Sequence, residues 1–177
     1  PENALAPSRV ARAAGEPGAD GVLARALLET GAAAEAAAIA RGALGVSDEP
    51  ELDLVLGEAY LSLKKFPAAI GHLQAASDAG LVRGHVALTY ALARDGQKDQ
   101  ARIEASGLQL RHAGDPMVLA NLTVVYNLIG DRPAAQAGSE QSQLASHDQG
   151  GALSLAQEWL DRAVRRRAGG DIEGALW

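Results

Sequence analysis

The sequence predicts an all-α fold of about four stacked helical hairpins, on three observations. Ala36, Ala69, Ala101 and Ala135 recur at intervals of 33, 32 and 34 residues. Periods of that length mark arrays of helix–turn–helix units, which bury their apolar faces only against neighbours. The turns keep the same beat: Gly31, Gly96 and Gly130 each stand five residues before their alanine, and Lys64 takes that place in the second unit. Finally, hydrophobic residues make up 47% of the chain but aromatics only 3%. Much of the apolar content is alanine, the best helix former, which also lets helix axes approach closely. A β-rich fold would need more aromatic and β-branched residues.

Residues 1–16 lack a clean period and contain Pro1, Pro7 and Gly15, which suggests a tail or a short leading helix. Pro17-Gly18 breaks the chain. The repeat region is expected over 17–148. Its first hairpin runs from about Ala19 to Leu44, with Leu23, Leu27 and Leu28 at helical spacing and Ala36, Ala40 and Ala43 on the second helix. Ser47-Asp48-Glu49-Pro50 supplies capping residues, with Pro50 suited to a first turn. The second hairpin carries Leu56-Gly57-x-x-Tyr60, then Phe66, Ala69, Leu73 and Ala76. Gly57 is small where the paired helix should cross, and Gly80 closes the unit. Leu88, Leu92, Gly96, Ala101 and Ala105 mark the third hairpin. The fourth opens at Asp115-Pro116 and continues through Leu119, Leu122, Tyr126, Gly130 and Ala135. It weakens at Ser139 and Ser142, as a terminal repeat often does. After Gly150-Gly151, residues 149–168 are expected to form a capping helix sealed by Trp159, and 169–177 a tail.

The bulk numbers exclude several classes. At 177 residues, the chain is long enough for one domain with a continuous core. Its net charge of −6 argues against a dedicated nucleic-acid binder, which carries a basic footprint. No apolar run approaches the roughly 20 residues of a membrane span. The absence of cysteine removes disulfides, thiolate metal sites and cysteine nucleophiles. The chain begins at Pro1 rather than Met, so a processed or trimmed product is expected, with any signal peptide or lipid-bearing cysteine ahead of it.

The spacing of Leu56-Gly57-x-x-Tyr60 with Ala69 and Leu73, and its recurrence, resembles the tetratricopeptide repeat (TPR) family over about 17–148. The resemblance implies a right-handed superhelix in which the first helix of each hairpin lines a concave groove for a helical or extended peptide. The groove positions then fall on Arg25 and Leu28; on Leu54, Glu58 and Leu61; on Arg83, Val86, Tyr90 and Arg94; and on Met117, Ala120, Val124, Asn127 and Leu128. That surface is aliphatic in patches with three arginines, which suits an amphipathic segment bearing some acidic residues. Tyr90 is equally open to a packing role between repeats. The co-chaperone clamp for a C-terminal carboxylate needs a lysine where Leu54, Val86 and Ala120 stand, so it is rejected, and Asn121 is read as a helix-pairing residue.

A narrower resemblance rests on Asp115-Pro116-Met117 and on Tyr126-Asn127-Leu128-Ile129-Gly130-Asp131 in a small, alanine-rich repeat chain. It is similar to the Tad (tight adherence) pilus assembly lipoproteins. This implies a pilotin-like role: binding a secretin subunit, at its C-terminus for example, and supporting its assembly in the outer membrane. The implied location is the periplasm and the inner leaflet of the outer membrane, with membrane contact only through an N-terminal lipid anchor. A cytosolic TPR adaptor is the alternative.

Catalytic and metal chemistry find no constellation. His72, His85, His112 and His147 show no i,i+4 pair, so each is read as a surface or helix-pairing residue. Ser146-His147-Asp148 contains triad residue types, but adjacent side chains point apart and cannot form the relay. Gly15, Gly18 and Gly21 lack the Lys-Ser/Thr of a phosphate loop. Arg162, Arg165, Arg166 and Arg167 read as a helix end matched to its dipole, with contact to lipid headgroups or an acidic partner as the other reading. No enzyme activity, metal or cofactor is therefore expected. The groove assignment carries its own expectation: Leu61→Glu and Tyr90→Ala weaken partner capture with little loss of helicity, as read by pull-down and circular dichroism.

Overall fold

The computed structural model describes residues 2–14 and 18–148, which are all-helical, with no strand among them. The capping helix over 149–168, with Trp159 and the Arg162–Arg167 cluster, and the tail over 169–177 lie outside the described residues. The leading segment is a helix, α1 (Glu2–Ala13). Hairpins follow as α2 (Ala19–Glu29) with α3 (Ala33–Leu44), and α4 (Pro50–Ser62) with α5 (Phe66–Asp78). They continue as α6 (Val82–Arg94), α7 (Lys98–Arg111), α8 (Pro116–Ile129) and α9 (Arg132–Asp148). The chain divides into two compact units, Pro1–Leu88 and Thr89–Trp177, with the division inside α6.

The periodic alanines are where the second helix of each hairpin meets its neighbours. Ala36, Ala69 and Ala101 are fully buried and Ala135 nearly so. A methyl group fills such a crossing, and anything larger would push the helices apart.

In the first unit, α1 packs on α2, and Arg12 Nε reaches Asp20 Oδ1 at 2.6 Å. The core there is Leu23, Leu27, Leu52, Leu56 and Leu73 with Ala40 and Ala76 between them. Gly57 has the close neighbour expected of it: a Cβ there would stand 2.6 Å from both Cγ and Cδ2 of the fully buried Leu73. Gly84 is a second close approach, which the sequence alone did not single out. A Cβ there would meet Ala76 Cβ at 2.8 Å.

In the second unit, Leu108, Val118, Leu119, Leu122 and Tyr126 form the core. Asp115 caps α8, accepting from the backbone N–H of Met117 and Val118 at 2.9 and 3.2 Å. Ser142, which looked out of pattern, is buried and donates to the Pro116 carbonyl at 2.9 Å, fastening α9 to the start of α8. One expected cap differs. The residue before α4 is Glu49 with no side-chain cap bond, and Ser47 donates to the Glu49 carboxylate, itself no cap; Pro50 does open the helix.

Five helix ends share one hydrogen-bonded turn, at Gly31, Lys64, Gly80, Gly96 and Gly130. In each, the N–H of that residue bonds three residues back and the next N–H bonds five back. This Schellman geometry needs a left-handed residue. Lys64, at φ 58°, is the one positive-φ non-glycine among the described residues.

Two outcomes follow for urea unfolding. Gly57→Ala should lower stability by about 1–3 kcal/mol through overpacking on Leu73, despite the better helix propensity of alanine. Lys64→Gly should raise it by up to about 1 kcal/mol, the left-handed strain released less the added chain entropy.

Candidate partner-binding site

The position eleven residues before each periodic alanine reads Arg25, Glu58, Tyr90 and Val124. Opposite charges therefore stand one repeat apart on α2 and α4, and the fold brings them together. Arg25 Nη1 donates to Glu58 Oε2 at 2.6 Å. From α6, Arg83 donates through Nε to Oε1 at 2.5 Å and through Nη2 to Oε2 at 3.3 Å. One carboxylate thus takes three hydrogen bonds from two guanidinium groups, and it ties the first helices of three consecutive hairpins.

The burial is graded. The Glu58 side chain is 8% exposed, that of Arg25 23% and that of Arg83 35%. A carboxylate so far from water needs hydrogen-bond donors, and the two arginine side chains supply them while keeping part of their own surface open. Arg25 Nη2 also reaches Glu51 Oε2 at 3.3 Å, but Glu51 is 62% exposed and contributes little.

The other candidate positions fall into two groups. Leu54, Leu61, Val86 and Tyr90 are buried, at 2%, 1%, 6% and 3% exposure. As they stand they offer no surface to a guest, which corrects the expectation that Leu61→Glu and Tyr90→Ala would spare the fold. The physical reason is visible in α4. Leu52, Leu54, Val55, Leu56, Ala59 and Leu61 are apolar on every side of that helix, and all are buried. Tyr90 also takes a hydrogen bond from Arg94, whose guanidinium lies over its ring. Leu28, Met117, Ala120 and Val124 are half-buried, and Asn127 and Leu128 are exposed. Along α8 these last five residues make a partly open, mainly aliphatic strip. Asn127 turns its amide back to the Thr123 carbonyl at 3.0 Å. Asn121 is 3% exposed and donates to the Met117 carbonyl of its own helix at 2.8 Å.

Sequence reasoning missed a second polar string. His72 Nδ1 sits 2.7 Å from Asp53 Oδ1, joining α5 to α4. The Tyr60 ring lies 5.7 Å from the His72 ring, and Arg41 of α3 donates to the Tyr60 hydroxyl. His72 is thus a helix-pairing residue. Among the described residues, no group of three His, Asp or Glu side chains could hold a metal, and no described helix is long and apolar enough to cross a membrane.

No family model matches this chain, and no curated protein matches it. Among solved structures the chain is similar to one titled MamA MSR-1 C2, a TPR-containing protein. The two share 19% identity with a TM-score of 0.59, over 74% of this chain and 77% of that one. Likeness at that identity shows the fold alone, a TPR-like array of helices.

Stability measurements test the buried positions. Leu61→Glu should sharply lower the urea midpoint, because it buries an unpaired charge. Glu58→Gln should cost about 1–3 kcal/mol, a cost moderated because both arginines can turn toward water.

Proposed function

We propose that this chain is a non-enzymatic scaffold that holds a helical or extended segment of a partner protein. One observation supports this most directly: Arg25 and Arg83 converge on Glu58 across three first helices while their side chains stay 23% and 35% exposed. Such an arrangement offers fixed donors on a repeat surface without assembling a nucleophile, an acid–base pair or a metal site. In the first unit the half-buried Leu28 supplies apolar area, and in the second Met117 and Val124 supply a separate apolar strip of their own.

The specific form of the proposal is a pilotin-like protein of a Tad-type pilus or secretion system. It would bind a secretin subunit at the outer membrane and be tethered there by an N-terminal lipid. The support for this form is the sequence resemblance around Asp115-Pro116 and Tyr126–Asp131. A cytosolic adaptor would share the fold but not the location.

Affinity capture from a solubilised bacterial envelope tests both levels. Wild-type protein should enrich an outer-membrane secretin, and Leu28→Glu and Val124→Glu should lose it while circular dichroism stays unchanged. Exclusively cytosolic partners would refute the pilotin form. Equal recovery by wild type and both variants would refute both apolar strips as binding surfaces.

A further inference from the structure

We infer that the Arg25–Glu58–Arg83 cluster is a receptor for a single carboxylate, an aspartate or glutamate side chain of the partner segment, with Glu51 as its internal competitor. The inference rests on the protein-binding proposal and names the chemistry of one contact within it.

The charge count carries the argument. Two guanidinium groups face one buried carboxylate, so the core of the cluster holds one positive charge in excess. Each guanidinium has five N–H donors. Arg83 uses two of them, both on Glu58. Arg25 uses one on Glu58 and one on Glu51. Neither arginine has another hydrogen-bonding partner among the described residues. Donors therefore remain on both, and their side chains are 23% and 35% exposed. Glu58 fixes the two forks in place, so little side-chain entropy is lost when a ligand arrives.

Glu51 shows what the ligand looks like. Its carboxylate already leans on Arg25 Nη2 from an exposed position, at 3.3 Å, a long contact that an incoming group can replace. With Glu51 displaced to water, one monoanion balances the cluster. A phosphate dianion would bring a second negative charge next to Glu58 and fits less well. Oriented donors in a partly dry site favour a carboxylate over a neutral amide.

The test uses the whole chain and four probes: a short amphipathic helical peptide of leucine, alanine and glutamate, its glutamine twin, acetate and inorganic phosphate. Arginine Nε–Hε resonances report contact, and titration calorimetry reports affinity. The glutamate peptide should bind wild type about tenfold or more tightly than its twin, and it should move the Arg25 and Arg83 resonances. Glu51→Gln should tighten it about two- to fivefold. Arg83→Lys, which keeps the charge but not the fork, should weaken it. Equal binding of the two peptides to wild type would overturn the inference, and that comparison needs no variant to fold. It would also be overturned if inorganic phosphate moved the same resonances at lower concentration than acetate. If the peptides bind equally and Arg83→Lys still captures the same envelope partner as wild type, the carboxylate receptor fails while the scaffold proposal stands.

Discussion

Close helix crossing through small side chains is the constraint on which the rest of this fold depends. Ala36, Ala69 and Ala101 are fully buried, and Gly57 leaves no room for even one methyl group against Leu73. Because the crossings are tight, they fix register as well as distance. A helix that slid by one residue would present a different face to its neighbour. Register is what brings Arg25 opposite Glu58, since the two stand 33 residues apart at the same place in successive repeats. The repeat spacing that builds the core thus also builds the charged cluster.

The buried glutamate has a cost and a use. Desolvating a carboxylate is unfavourable, and an apolar side chain of similar volume could fill the space as stably. Glu58 gives direction instead. Its oxygens accept from helices on both sides of α4, so the two arginines hold fixed orientations. The Arg41–Tyr60 and His72–Asp53 contacts also link α4 to its neighbours, α3 and α5. A helix with so few polar positions devotes nearly all of them to its neighbours.

Much of the architecture was legible because its signals are local. A turn residue five positions before each alanine fixes both helix ends, and the Schellman bonds at Gly31, Lys64, Gly96 and Gly130 lie at those positions. Even the odd member, Lys64, was readable from its place in the frame, and it does adopt the left-handed conformation. The site was less legible. Family-style indexing marked Leu54 and Leu61 as groove residues, but exposure depends on what surrounds a helix. The α4 segment carried a warning, apolar residues on all sides, which indicates burial all round. The charge pairing was also encoded, as opposite charges at equivalent positions one repeat apart. Arg83 was harder to place, because it lies 25 residues from Glu58 and outside that frame. Ser142 shows the opposite failure: an apparent lapse in the apolar stripe proved to be a hydrogen bond between helices.

The central claim is that register across alanine-lined crossings forces Arg25 and Glu58 into energetic contact. A double-mutant cycle of Arg25→Met and Glu58→Gln, read by urea unfolding, measures that contact most directly. The account predicts a favourable coupling of about 1–3 kcal/mol. A coupling of zero within error, with both single variants folded, would contradict it.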